Sequence, residues 1–263
     1  MDGILLVDKP AGKTSHDVVA GVRRELGEPR AGHAGTLDPA ATGLLVLALG
    51  RALKLVEFMD YDKTYEFEAV LGVLTETDDA EGARTGERPV PSRAELEAAL
   101  PGLRGEIVQV PPRVSAVKVA GRRLYEYARK GREVEAPARR VRIDELSLLS
   151  FEAPRARFRL RGSKGVYVRS VARDLGGHVV RLRRTVCGPF RVEDAGPDIL
   201  PMDTAVMHLP ELRLTTEESL GFQEGQRVDR EAPGPVRVYC GPRFLGIGDR
   251  KEGRLAPRKV ILG

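Results

Sequence analysis

Apolar and polar positions along the 263-residue chain change rhythm repeatedly, and each change predicts a new element. Residues 4–7 form a short apolar run closed by the turn signal Lys9-Pro10-Ala11-Gly12-Lys13, a strand by its length. Val18, Val19, Val22 and Leu26 recur at helical spacing, with Ser15 as the expected N-cap and Gly27 as the stop. Residues 31–39, rich in glycine and small side chains, read as a loop that leads into an apolar, buried strand at 43–49. Residues 65–71 alternate as a strand does, and Ser92 with Glu95 has capping-box spacing before a helical run at 96–100. Further strands are expected at 114–119, 139–149 and 155–160, helices at 124–130 and 168–175, and an extended segment at 182–192.

Strands interspersed with helices, without a strict strand–helix–strand rhythm, predict an α+β fold with a mixed, mainly antiparallel central sheet flanked by helices. Pro197, Pro201 and Pro210 punctuate the chain before a helix-like stretch at 216–220 and short strands at 236–239, 243–247 and 259–262. The expected division is a main domain over 1–209 and a small β-rich appendage over 210–263, too short for a large core of its own and therefore resting on the main domain.

Charge adds a polarity to this plan. Between Arg113 and Arg191 there are 21 Lys and Arg against 7 Asp and Glu, whereas the rest of the chain carries 22 against 31. Such an excess suits a polyanion, although the alternating Arg155, Arg157, Arg159 and Arg161 could equally solvate one sheet face. Cys187 and Cys240 are too few and too far apart for a disulfide framework or cysteine zinc site, which fits a reducing compartment. With acids near the N-terminus and no apolar run of membrane-spanning length, the expectation is a soluble, cytoplasmic protein with no membrane partner.

Four histidines, at 16, 33, 178 and 208, lack the close helical spacing of a zinc site, and no phosphate-binding glycine loop stands between a suitable strand and helix. No metal or organic cofactor is therefore expected. The best local candidate is the segment from Gly32 to Gly43, where glycines permit close backbone approach and His33, Thr36 and Asp38 offer a ring, a hydroxyl and a carboxylate. Taken alone, Asp38 before Pro39 could be a turn initiator, and Tyr65 and Tyr167 ordinary strand tyrosines.

In order along the chain, Asp8-Lys9-Pro10-Ala11-Gly12-Lys13-Thr14-Ser15, Gly32-His33-Ala34-Gly35-Thr36-Leu37-Asp38-Pro39, Lys63-Thr64-Tyr65, Thr75, Thr77 and Asp78, Pro111-Pro112, Leu124-Tyr125-Glu126-Tyr127-Ala128-Arg129, Ser163-Lys164-Gly165-Val166-Tyr167-Val168-Arg169 and Leu182-Arg183-Arg184 resemble the bacterial tRNA pseudouridine-55 synthases, the TruB family. The resemblance spans most of the chain. It implies the pseudouridine synthase fold with a C-terminal PUA-like RNA-binding domain, although a purely structural brace remains open for that tail. It also implies conversion of a uridine in the T-arm of tRNA to pseudouridine, with Asp38 as nucleophile and Tyr65 against the base as candidate for late proton removal. Arg169 would pair with Asp38; a guanidinium beside a carboxylate orients it and balances its charge where water is excluded. Tyr167 and Leu182 would line the uridine pocket, and His33 would contact RNA where the target nucleotide leaves the stack. The partner is tRNA, with no obligate protein partner and a possible accessory role in tRNA folding. An RNA chaperone whose modification is incidental, or a synthase for another RNA, are the competing readings. One departure stands out: the family commonly carries several more residues between Gly176 and His178.

Overall fold

The computed structural model describes residues 1–115, 117–119, 121–124, 127, 134 and 136–261. The helix expected over 124–130 thus lies almost wholly outside the described residues. In chain order the strands are β1 (Gly3–Lys9), β2 (Ala31–His33), β3 (Thr42–Leu49), β4 (Lys63–Leu71), β5 (Val73–Thr75), β6 (Arg84–Glu87), β7 (Gly105–Gln109), β8 (Lys118–Val119) and β9 (Arg122–Arg123). They continue with β10 (Arg139–Glu152), β11 (Arg155–Gly162), β12 (Gly177–Cys187), β13 (Phe190–Arg191), β14 (Ile199–Leu200), β15 (Glu211–Arg213), β16 (Val236–Cys240), β17 (Arg243–Lys251) and β18 (Arg254–Val260). The α-helices are α1 (Ser15–Leu26), α2 (Arg93–Ala99), α3 (Val168–Asp174) and α4 (Thr216–Gln223).

Among the described residues, the main sheet runs β14-β1-β3-β12-β4-β11-β10-β7, with β2 added to β3 and β13 to β12. Its halves follow two hydrophobic patterns. On β1 and β3 both faces are buried: Ile4, Leu6, Leu44, Val46 and Ala48 join one core, while Leu5, Leu45, Leu47 and Leu49 join a second under α1. Coverage on both faces is why residues 43–49 read as an unbroken apolar run. On β4, β11 and β10 only one face is covered, by Phe67, Ala69, Phe158, Leu160 and Leu146 packed with Leu96 of α2 and Val171 of α3.

The open face of that second half explains the arginine ladder. Arg155 pairs with Glu68, Arg157 with Glu66 and Arg159 with Glu145, so three of the four arginines meet carboxylates across the sheet. These are exposed pairs of the kind worth little in stability.

The halves meet at a parallel seam. β3 and β12 share only the partners Thr42↔Arg183 and Gly43↔Arg184, whereas every other pairing in this sheet is antiparallel. Gly43 has φ of 100°, and a Cβ there would lie 2.2 Å from the Arg184 carbonyl oxygen, so glycine is what lets the halves touch. The 34–41 loop enters β3 at this seam.

Several boundaries correct the sequence reading. The N-cap of α1 is Thr14, whose hydroxyl accepts from the Asp17 N–H while the Asp17 carboxylate accepts from the Thr14 N–H; Ser15 turns inward. β12 starts at Gly177 rather than 182, because the short connection after α3 runs straight into the sheet, and it ends at Cys187. At 114–119 only Lys118–Val119 is strand among the described residues. Of the strand expected at 259–262, Lys259 and Val260 are the end of the longer β18, Ile261 follows it, and residue 262 lies outside the described residues.

The C-terminal segment forms the sheet β15-β16-β17-β18 around its own core of Phe222, Val236, Val238, Leu245 and Leu255. It is also keyed into the main body. Ile247 and Ile261 are buried in the same cluster as Ile4 and Leu44. Glu57, in the 3₁₀ segment Gly50–Phe58, pairs with Lys259 and Arg258, and the Tyr239 hydroxyl donates to Asp203 at 2.6 Å.

Candidate active site

The loop at the seam is held by buried polar groups on three elements. Ser15, on the first turn of α1, donates to the Leu37 carbonyl at 3.1 Å and accepts from the Leu37 N–H at 2.9 Å. Lys9, fully buried at the end of β1, donates to the carbonyls of Pro10, Lys13 and Pro39, and burial lowers the pKa of its ammonium. Arg184 of β12 donates to the carbonyls of Gly35, Thr36 and Leu44. Asp38, between these anchors, keeps a side chain that is 42% exposed. Replacing Ser15 by Ala strands both backbone groups of the residue before Asp38, and is expected to cost about 1–3 kcal/mol in urea unfolding. An unchanged midpoint would overturn the clamp.

The exposed carboxylate faces a cavity of about 250 Å³, lined among others by Leu37, Asp38, Tyr65, Tyr167, Arg169 and Leu182. Arg169, 5% exposed on α3, places Nε 3.0 Å from Asp38 Oδ2. Its other nitrogens donate to Asp79 Oδ2 and the Thr77 carbonyl, and to the Val114 carbonyl. The guanidinium is thus fixed on every side, with Asp38 as the solvent-facing partner. Tyr167 stands at the N-terminus of α3, where the buried Gln109 side chain accepts from its N–H and donates to its carbonyl, while Arg139 lies over its ring. Tyr65 enters from β4, and burial raises the pKa of its hydroxyl.

Of the six residues singled out in the sequence, the structure brings Asp38, Tyr65, Tyr167, Arg169 and Leu182 to this cavity. His33 lies outside its lining, on β2, where its ring nitrogen accepts from the Gly35 N–H at 3.4 Å.

Sequence reasoning missed Asp79. Its loop is set by Thr75 and Thr77, whose hydroxyls donate to the Asp79 carbonyl and carboxylate, and by Asp78, in the left-handed region at φ 60° and paired with Arg173. The Thr-x-Thr-Asp-Asp run, dense in side chains that bond nearby backbone, was the available signal. Among the described residues no group of three or more His, Cys, Asp or Glu is arranged to hold a metal.

A carboxylate open to a small cavity, backed by a buried guanidinium and flanked by two tyrosines and a leucine, suits an enzyme class in which a carboxylate acts on a small group held in the cavity. Comparison with known proteins gives this class its name. Residues 23–168 match the family model "TruB family pseudouridylate synthase (N terminal domain)", and residues 210–261 match "Pseudouridine synthase II TruB, C-terminal". The chain is 41% identical over 285 residues to the tRNA pseudouridine synthase B of Azoarcus sp., covering 99% of this chain and 95% of that protein. It is 46% identical over 257 residues to the protein of the same name from Geobacillus kaustophilus, covering 86% and 90%. A crystal structure of a Cbf5-Nop10-Gar1 complex superposes with a TM-score of 0.73 at 24% identity, covering 98% of this chain and 84% of that one, and so shares the fold. The chain belongs to the TruB family of pseudouridylate synthases.

Proposed function

We propose that this enzyme isomerises a single uridine in the T-arm of tRNA, at position 55, with Asp38 as nucleophile acting on a nucleotide flipped into the cavity. The observation that carries the reading is the Asp38–Arg169 pair: a half-exposed carboxylate aimed into a nucleoside-sized space and oriented by a guanidinium that is itself fixed by Asp79 and two carbonyls. The relatives' name, tRNA pseudouridine synthase B, supports tRNA as the substrate.

Isomerisation breaks the bond from N1 of uracil to the ribose and makes one from C5. Asp38 assists detachment by attacking the nucleoside, Tyr167 and Leu182 hold the freed base while it turns, and Tyr65 removes the C5 proton after the carbon–carbon bond forms. Flipping costs a few kcal/mol, which contacts inside the cavity offset. His33, beside the loop but outside the cavity, contacts RNA at the point of flipping. The division at about residue 210 separates this catalytic unit from a PUA-like unit that extends the RNA surface, and cytoplasmic tRNA is the pool on which the enzyme acts.

The direct test incubates the protein with an unmodified tRNA transcript and maps pseudouridine at nucleotide resolution. One modified position, in the T-arm, is expected. Modification elsewhere only, or of ribosomal RNA in preference, would refute the substrate reading.

A further inference from the structure

We propose that Arg184 is a positioning residue of the reaction: its guanidinium ties the backbone of the Asp38 loop to the Tyr65 side chain and supplies the positive charge against which the Tyr65 hydroxyl exchanges its proton. This rests on the reading of Tyr65 as the base that removes the C5 proton.

Arg184 is 2% exposed and heads the largest fully buried side chains. Its Nε donates to Leu44 O at 2.7 Å, and its terminal nitrogens donate to Gly35 O at 3.1 Å and Thr36 O at 3.4 Å. Two of these acceptors belong to the Asp38 loop and one to β3. Among the described residues it forms no ion pair with a carboxylate. Burying a cation against carbonyls alone is costly, and a neutral amide could serve some of the same acceptors, so the fold by itself gives little reason for the charge.

Tyr65 supplies the reason. Arg184 and Tyr65 are direct partners across β12 and β4, and both line the cavity. Burial, Cys187 and Asp38 disfavour the ionised Tyr65 hydroxyl, and the Arg184 guanidinium favours it. The other cations around the cavity are otherwise engaged. Arg169 pairs with Asp38 and Asp79, Lys164 with Asp60, and the Lys63 ammonium donates to Tyr61 O at 2.7 Å. Lys9 lies near Arg184 and is occupied by three carbonyls.

The proton balance is simple. A Tyr65 phenolate takes the C5 proton, and the C–H electron pair restores the C5–C6 double bond of the ring. The phenol later returns that proton to solvent, and N1 takes one up, so the enzyme ends unchanged. Arg184 steadies the phenolate before and after.

The test follows tritium released from tRNA labelled at C5 of uridine, in single turnovers from roughly pH 6 to 10. Wild type, Arg184→Gln, Arg184→Lys and Tyr65→Phe are compared. Release should rise with pH in wild type. In Arg184→Gln the rise should move up by about one pH unit or more, because a nearby cation no longer favours the phenolate, and Arg184→Lys should recover most of that displacement. An unchanged profile in Arg184→Gln, or equal losses in the Gln and Lys variants, would reduce Arg184 to a structural residue and overturn the proposal. Tyr65→Phe separates the two layers. If it releases tritium like wild type, the base assignment fails and the Arg184 role falls with it. If it is inactive while Arg184→Gln keeps the wild-type pH profile, the failure belongs to Arg184 alone.

Discussion

Asp38→Asn should bind tRNA as wild type does and form no pseudouridine, with single-turnover rates lower on the order of 10⁴-fold or more. The substitution keeps the shape of the side chain and can still meet the Arg169 guanidinium through its amide oxygen, so the loop held by Ser15, Lys9 and Arg184 should keep its course. What disappears is the anionic oxygen to which the proposal gives the attack. Because much of the affinity of such enzymes comes from contacts to the RNA backbone remote from this carboxylate, filter-binding constants should stay within about threefold. Appreciable product from the purified variant would remove Asp38 from the chemistry. Full complementation of a deletion strain would instead favour an RNA-folding role in which modification is incidental.

The second large effect is expected from Arg169→Lys. Charge is conserved here, yet the guanidinium meets Asp38 through Nε, Asp79 and Thr77 through one terminal nitrogen and Val114 through the other. One ammonium cannot reach all four acceptors in those directions. The loss should fall on orientation: a carboxylate displaced by about 1 Å costs on the order of 10²-fold in rate. The turnover number should therefore drop while the Michaelis constant for tRNA changes little, since the residue is buried behind Asp38. A change confined to the Michaelis constant would show that Arg169 acts in binding instead.

How much of this was legible in sequence depends on the range of each interaction. The α1 helix, its stop at Gly27 and the capping box at Ser92 were readable because caps and periodicity are local. Even the misplaced cap of α1 had its signal, since Thr14 stands three residues before Asp17, the spacing of the box that forms. β12 began earlier than expected because its start is set by pairing Gly177 with Leu71, a partner far off in the chain. Family motifs brought Asp38, Tyr65, Tyr167, Arg169 and Leu182 forward, but not what holds them. Arg169 meets Asp79 across 90 residues, Gln109 meets Tyr167 across 58, and Arg184 meets Leu44 across 140. No periodicity encodes contacts of that span. The arginine-rich strand was ambiguous for the same reason, its glutamate partners lying on strands whose order the sequence does not state.

The joint between the C-terminal unit and the body has a bearing on how this chain can vary. Ile247 and Ile261 complete a core that also contains Ile4, Leu44 and Phe190, so the tail works as a stopper in the body's own interior. Evolution can therefore reshape its outward loops freely, yet it cannot exchange the unit wholesale. A tail borrowed from a relative would fit only if it carried matching apolar side chains at the two plug positions and cations opposite Glu57. In this chain, a change of size on one side of that joint calls for a matching change on the other.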